Sequence, residues 1–140
     1  MKKRIFLFGI ILILGCGNKQ PQRVVFSVLK ETGDLFYFNG KPYTGVAFKM
    51  WTEKQLKEEW SFKDGKNDGP FRNYYENGQL REEGSFKDGK LDGPFKAYYE
   101  NGQLKEDRSY KDEIPDGIQK WYYENGQLKL EQNFKDGIQK

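Results

Sequence analysis

The chain has 140 residues, among them 24 basic and 21 acidic side chains, one Cys and no His. Its length fits one domain of ordinary size. The lack of His removes the commonest general base and metal ligand, and a single Cys excludes an internal disulfide and a multi-cysteine metal site. Lys2, Lys3 and Arg4 account for the whole surplus of positive charge, so the rest of the chain offers no basic field for nucleic acid.

The composition predicts strands and turns rather than helices. Eleven Phe, nine Tyr, three Trp and 16 Gly are present, whereas Ala occurs only at positions 47 and 97. Aromatic residues favour strands, and Gly marks the turns between them. We therefore expect an all-β fold.

The first residues predict a lipoprotein signal peptide over 1–15. A basic stretch at 2–4 precedes an apolar stretch at 5–14, which is too short to span about 30 Å of hydrocarbon as a helix. Ile13-Leu14-Gly15-Cys16 resembles the lipobox of bacterial lipoproteins. This resemblance implies that Cys16 takes a diacylglycerol and becomes the mature N-terminus. An ordinary signal peptide, or a cytosolic chain with an apolar start, is the alternative.

Residues 16–23 are polar and predict a lipidated tether. The acyl chains would supply the membrane affinity, so the folded part need not bind lipid itself. The expected location is the bacterial cell envelope, on the non-cytoplasmic side of a membrane to which Cys16 is anchored.

A repeat of 24 residues organises the remainder. The sequence Tyr-Tyr-Glu-Asn-Gly-Gln-Leu occurs at 74–80, 98–104 and 122–128. An N-terminal capping hairpin is predicted over 24–44, since a non-identical first unit commonly caps a repeat array. Four repeats are predicted after it, at 45–68, 69–92, 93–116 and 117–140.

Each Asn-Gly is predicted to form a two-residue hairpin loop in which both residues have positive φ. For Asn77-Gly78, this register pairs Tyr75 with Leu80 and Tyr74 with Arg81. Further along the strands it brings opposite charges together in three repeats and keeps bulky residues opposite small ones in others. The pairs that test it are Arg72–Glu83, Lys96–Asp107, Lys120–Glu131, Phe71–Gly84, Ala47–Trp60, Phe95–Arg108, Gln119–Gln132 and Trp121–Leu130.

Asp64-Gly65 and Asp88-Gly89 predict tight turns that join successive hairpins. Asp112-Glu113 predicts a wider loop or a bend, because Glu tolerates positive φ poorly and Pro115 follows. The expected fold is an antiparallel meander of repeated hairpins in a single curled sheet.

The alternation of side chains gives each hairpin a core face and a solvated face. The predicted core aromatic face consists of Phe71, Tyr75, Leu80, Phe86, Phe95, Tyr99, Leu104, Tyr110 and Tyr123. The solvated face carries Tyr beside cations, and its candidate partner-binding residues are Tyr74, Arg81, Tyr98, Lys105, Tyr122 and Lys129. Either face has a purely structural alternative, namely the core of a curled sheet or a solvated surface with cation–π contacts.

Glu58, Glu82 and Glu106 recur at the same repeat position and raise the question of carboxylate chemistry. A catalytic pair needs two different environments, whereas a repeat copies one environment. We therefore predict no catalytic residue, no metal site and no cofactor.

The repeats resemble the bacterial variant of the MORN repeat, named for membrane occupation and recognition nexus. The resemblance covers roughly residues 37–140. It rests on Asn39-Gly40-Lys41-Pro42-Tyr43-Thr44-Gly45, on the three Tyr-Tyr-Glu-Asn-Gly-Gln-Leu blocks, and on Phe-Lys-Asp-Gly-Lys-x-Asp-Gly-Pro-Phe at 62–71 and 86–95. It implies stacked hairpins and a role in binding. Many such proteins carry the label of a YwqK-family toxin–antitoxin antitoxin.

The expected function is binding of a protein partner by a membrane-anchored, non-catalytic lipoprotein, with an antitoxin or immunity role as one form. The alternative is a structural envelope lipoprotein that binds glycan or lipid headgroups. The sequence does not indicate an oligomeric state.

Overall fold

The computed structural model describes residues 21–140. The predicted signal peptide, Cys16 and most of the tether lie outside the described residues, so these assignments stay predictions. Among residues 21–140, no helix has the length and apolar character needed to cross a membrane.

The described residues form strands joined by short turns, with one 3₁₀ helix at Phe26–Val28. The strands are β1 (Arg23–Val25), β2 (Lys30–Thr32), β3 (Leu35–Phe38), β4 (Lys41–Pro42), β5 (Gly45–Thr52), β6 (Gln55–Lys63), β7 (Lys66–Tyr74), β8 (Leu80–Lys87), β9 (Lys90–Leu91), β10 (Gly93–Tyr98), β11 (Leu104–Lys111), β12 (Ile114–Pro115), β13 (Gly117–Tyr122), β14 (Leu128–Lys135) and β15 (Ile138–Gln139).

The predicted all-β meander is confirmed. The main sheet follows the order β1-β5-β6-β7-β8-β10-β11-β13-β14-β15, with β9 paired to β8 and β12 paired to β11. It stays open, with β1 at one edge and β14–β15 at the other. A second sheet, which the sequence did not predict, contains β2, β3 and β4.

The predicted register of the hairpin stems is confirmed in all four repeats. The observed partners include Ala47–Trp60, Phe71–Gly84, Arg72–Glu83, Phe95–Arg108, Lys96–Asp107, Gln119–Gln132, Lys120–Glu131 and Trp121–Leu130. Gly84 shows why large and small residues face each other. A Cβ at this position would lie 2.8 Å from Cε1 of Phe71, so the ring occupies the space that Gly leaves.

The tight turns at Asp64-Gly65 and Asp88-Gly89 are also confirmed, since both residues of each turn have positive φ. The wider loop expected at Asp112-Glu113 is wrong. Glu113 adopts φ of 70°, and Lys111 pairs with Ile114 across the same two-residue turn. The turn is held by the preceding repeat, because the Glu113 amide donates to Leu91 O at 2.8 Å.

The N-terminal residues differ in part from the predicted leading hairpin. The hairpin that forms runs from Lys30 to Phe38, with Thr32 opposite Leu35. Val24 instead lies in β1, which pairs with β5 in parallel and places Val24 beside Ala47. A parallel contact with a strand some twenty residues further on has no local turn signal, which explains why the sequence did not reveal it.

The main hydrophobic core lies where this N-terminal segment packs on the first repeat. Val24, Tyr43, Ala47 and Phe62 are at most 9% exposed. The aromatic residues around Phe62 include Phe26 and Phe36, with ring centroids 5.7 and 5.0 Å away. None of these residues belongs to the core face that was predicted from the repeats.

An aromatic stripe continues from this core along the sheet. Trp60 stacks on Phe71 with a centroid distance of 4.9 Å, and Phe71 lies 5.2 Å from Phe86 and 6.4 Å from Phe95. Phe95 then contacts Tyr110 at 6.3 Å. Phe71 is buried, Phe86, Phe95 and Tyr110 are half-buried, and the ring contacts bring the four side chains together on one face of the sheet.

Candidate binding surface

The Asn-Gly hairpin tips are three-residue loops and not the predicted two-residue loops. The Tyr75 amide donates to Gln79 O at 2.8 Å, and the Gly78 amide donates to Tyr75 O at 3.0 Å. Of Asn77 and Gly78, only Gly78 has positive φ, at 88°. This is a type I turn followed by a left-handed glycine, the other common hairpin loop for this dipeptide.

The different loop changes the register at the top of each hairpin. Tyr74 pairs with Leu80, while Asn73 already pairs with Glu82, so Arg81 is an extra residue in a β-bulge. The other two copies repeat the shift, with Tyr98 opposite Leu104 and Tyr122 opposite Leu128. The predicted pairs Tyr74–Arg81, Tyr98–Lys105 and Tyr122–Lys129 are therefore wrong.

The bulge also exchanges two side chains between the faces. Leu80 and Leu104 were predicted on the core face, but each lies opposite a Tyr of the solvated face. The cations move the other way. Lys105 Nζ lies 5.7 Å from the ring centroid of Tyr99, and Lys129 Nζ lies 5.6 Å from that of Tyr123.

Of the candidate partner-binding residues, the three tyrosines are half-buried and the three cations are exposed. Tyr98 is held in place, because its hydroxyl donates to Glu83 Oε1 at 3.1 Å. Burial raises the pKa of Tyr98, and the hydrogen bond to Glu83 raises it further. Binding by any of these residues stays a prediction.

A ring at each hairpin tip ties its repeat to the next one. Trp51 Nε1 donates to Tyr74 O at 3.1 Å, Tyr75 Oη donates to Tyr98 O at 2.8 Å, and Tyr99 Oη donates to Tyr122 O at 2.8 Å. Tyr123 occupies the same repeat position but is 50% exposed, so its predicted place in the core is wrong. Among residues 21–140, no following hairpin covers it.

Other apolar side chains in the last hairpin and its flanking turns are exposed as well. They are Ile114, Ile118, Leu128, Leu130 and Ile138, each between 44% and 72% exposed. A shallow groove of about 200 Å³ lies on this part of the sheet. It is lined by Tyr99, Lys105, Trp121, Tyr122, Lys129 and Leu130, and we call these residues the C-terminal groove.

The groove brings together three of the six candidate partner-binding residues, namely Lys105, Tyr122 and Lys129. Sequence reasoning missed Trp121 and Leu130 as surface residues, although it paired them correctly. Trp121 takes the position of Ala97 in the preceding repeat, and this substitution of a ring for a methyl group was the available signal.

The row of repeated carboxylates is engaged in hydrogen bonds and ion pairs. Lys49 Nζ lies 2.9 Å from Glu58, Asn73 Nδ2 donates to Glu82 Oε1 at 2.7 Å, and Arg108 lies 2.8 Å from Glu106. Within the described part of the chain, no group of three or more potential metal ligands is present. Each of the three carboxylates therefore has a polar partner from the protein itself.

Comparison with known families matches this repeat geometry. The family model described as MORN repeat variant matches residues 67–88, 91–112 and 115–136. The hairpin of β5 and β6 lies outside the matched segments, and its tip lacks the Asn-Gly pair. No curated protein and no solved structure matches the chain. Three segments of the chain are therefore similar to the MORN repeat variant, and this similarity suggests a repeat-based role in binding.

Proposed function

We propose that this chain is a non-catalytic lipoprotein, anchored to a membrane at Cys16, whose repeat sheet binds another protein. The observation that carries the proposal is the distribution of exposed apolar residues. Among residues 21–140, six of the ten exposed large apolar side chains lie in the segment from Ile114 to Ile138. Of these six, Leu130 lines the C-terminal groove, and the exposed ring of Tyr123 lies beside Lys129 of that groove. Exposed apolar surface at a groove is typical of a protein interface.

The C-terminal groove has the composition that such an interface needs. Trp and Tyr provide large, rigid contact areas, and Lys105 and Lys129 add charge at the rim. The non-catalytic part of the proposal is supported by the sequence, which has no His, and by the paired state of Glu58, Glu82 and Glu106.

A photo-crosslinking amino acid at position 123 tests the proposal in intact cells. Position 75 is the matched control, since Tyr75 has the same repeat position but is half-buried and bonded to the next repeat. We expect one adduct with another protein from position 123 and none from position 75. Equal labelling from both positions, or no protein adduct from position 123, would contradict the proposal.

The alternative of glycan or lipid headgroup binding rests on the same groove, where flat rings adjoin two amines. Purified full-length chain can be mixed with peptidoglycan and with anionic vesicles. Retention that is lost in Trp121→Ala, together with no protein adduct from position 123, would favour this alternative.

The membrane anchor has its own test. Cys16→Ala removes the thiol that would carry the lipid, so we expect the protein to leave the membrane fraction and the detergent phase. Unchanged partitioning of this variant would contradict lipidation while leaving the groove proposal intact.

An immunity role is the more specific form of the proposal, in which the anchored chain captures a toxin beside the membrane. It is motivated by the antitoxin label that related repeats carry. Expression of a neighbouring gene that is toxic alone, and harmless together with this chain, would support it. Relief that persists in a Leu130→Asp variant would argue against the groove as the site.

A further inference from the structure

A line of alternating charges crosses the solvated face of the main sheet. Consecutive cross-strand partners along it are Arg72, Glu83, Lys96, Asp107, Lys120 and Glu131. Every step places opposite charges across from each other, and ion pairs form at 3.6 Å for Arg72–Glu83 and 3.2 Å for Lys120–Glu131. At each joint between hairpins, the acid of one hairpin therefore faces a cation of the next.

The same joints carry two further hydrogen bonds at fixed offsets from the cation. Tyr75 Oη donates to the carbonyl of Tyr98, two residues after Lys96, and Asn77 Nδ2 donates to the carbonyl of Glu100, four residues after it. The next joint repeats both bonds, from Tyr99 to Tyr122 O and from Asn101 to Glu124 O, at the same offsets from Lys120. At each joint, the first strand of the following hairpin thus supplies a cation and two backbone carbonyls to the hairpin before it.

The last hairpin carries the same three groups, a carboxylate and two hydrogen-bond donors, but no further hairpin lies beside it among the described residues. Glu131, Tyr123 and Asn125 hold the three repeat positions, and the Asn125 amide turns to Gln127 of its own tip. On the outer side of β14, β15 pairs only with Phe134 and Lys135. From Leu128 to Gln132, β14 has a strand partner on the β13 side alone among the described residues.

We propose that the outer edge of β14 binds an extended segment of another protein by strand addition, with a Lys or Arg of that segment opposite Glu131. The backbone carbonyls two and four residues after this cation accept hydrogen bonds from Tyr123 and Asn125. The inference rests on the proposed function, because it gives the mode by which the protein partner binds. Strand addition at an open edge supplies affinity through the main chain and specificity through the facing side chains.

A second copy of this chain fits the edge less well. The opposite edge of the main sheet consists of β1 and of the end of β5, which β1 does not cover. The cations there are already engaged, Arg23 with Glu59 and Lys49 with Glu58. β14 itself places Lys129 in the bulge, beside Tyr123 and away from Glu131. Another protein is therefore the better occupant.

A peptide copied from the chain provides the probe. Residues 92–101 contain Lys96 with the two carbonyls that follow it, so a labelled peptide of this sequence should bind the full-length protein in detergent. The matched peptide carries Lys96→Glu, and we call the two the Lys peptide and the Glu peptide. We expect the Glu peptide to bind roughly tenfold or more weakly, because two acids would then face each other across the edge.

A charge exchange separates specific pairing from general attraction. In a Glu131→Lys variant, the Glu peptide should bind more tightly than the Lys peptide, while Glu76→Lys, at an exposed tip two hairpins away, should keep the original preference. No binding of either peptide, equal binding of both, or self-association of the chain that blocks the peptide would overturn the inference. A protein adduct from position 123 without peptide binding would retain the proposed function and reject strand addition.

Discussion

The two ends of the repeat array share one hairpin geometry but differ in what covers them. At the first repeat, the segment from β1 to β4 packs over the sheet, and Ala47 and Phe62 are 0% and 3% exposed. At the fourth repeat, Tyr123 and Leu130 are 50% and 44% exposed. This difference shows that a hairpin of this type does not bury its own apolar face, and that the neighbouring unit buries it.

The stem positions show the same gradient from one end to the other. The pair Ala47–Trp60 and the pair Phe71–Gly84 each place one ring in the core. In the third repeat Arg108 faces Phe95, with its guanidinium 5.2 Å from the ring centroid. In the fourth repeat the pair is polar, and Gln119 is buried with its Nε2 donating to Ser109 O at 2.8 Å. This stem pair therefore becomes more polar towards the end that we propose as the binding surface.

The largest contrast is expected between Phe62→Ala and Phe134→Ala, two substitutions at the same repeat position. Phe62 is 3% exposed among other rings, so its removal should lower the free energy of unfolding by about 3–5 kcal/mol. Phe134 is half-buried, and its removal should cost about 1–2 kcal/mol. Urea unfolding of both variants measures the difference. Equal losses would contradict the contrast between the ends.

Tyr43→Phe tests how the N-terminal segment is fixed on the first repeat. The Tyr43 hydroxyl donates to Gln22 O at 2.7 Å and lies 2.9 Å from Val46 O. Its loss should lower the free energy of unfolding by about 1–2 kcal/mol at neutral pH, because the buried Tyr43 ring would no longer be bonded to the N-terminal segment.

The same residue predicts an alkaline dependence of stability. Burial raises the pKa of Tyr43 from 10.0 to about 12. Between these values the unfolded chain releases the proton while the folded chain keeps it, so stability should fall as pH rises through this window. The fall should be shallower in Tyr43→Phe, as measured by urea unfolding at several pH values. Parallel pH profiles for the two proteins would argue against this assignment.

Tyr75→Phe and Tyr123→Phe compare an interior joint with the open end. Tyr75 donates to the next repeat, so its variant should lose about 1 kcal/mol of stability. Tyr123 has an exposed ring at the matched position, so its variant should unfold like the original protein. A comparable loss in both variants would show that Tyr123 is also engaged.

Glu113→Gly is expected to give the smallest effect, and a gain. Glu113 has φ of 70° in a turn where the three other repeats have Gly. Relief of this left-handed strain, partly offset by the greater freedom of Gly in the unfolded chain, should raise stability by about 0.5 kcal/mol. Thermal unfolding at one pH measures it. A loss of stability would show that the Glu113 side chain contributes contacts that outweigh the strain.

The stem register was predictable because each repeat tests the register proposed from the others. Charge pairs such as Arg72–Glu83 recur in three repeats, and a register shifted by one residue would have placed them on opposite faces. The tips were not predictable to the same degree. Asn77-Gly78 is compatible with a two-residue loop and with a three-residue loop. The loop length decides which face of the sheet Leu80 and Arg81 each occupy.

The sequence also did not predict that the first repeat is covered and the fourth is exposed, for a different reason. Val24 reaches Ala47 through a parallel pairing, and Tyr43 acts through a hydroxyl bonded to distant carbonyls. Neither contact leaves a periodic signal. The exposure of Tyr123 depends on what lies beside a repeat and not on the repeat itself, so identical blocks gave identical predictions at 75, 99 and 123.

Native-state hydrogen exchange on the full-length chain, at a concentration where sedimentation shows a monomer, tests the contrast between the ends most directly. Amides at 46–48 of β5 lie between β1 and β6 beside the main core, whereas amides of β14 from Leu128 to Gln132 have a partner strand on one side. We expect exchange in this part of β14 on the order of a hundredfold faster than at 46–48 of β5, because local opening is easier at an uncovered edge. Equal protection of the two strands would contradict it.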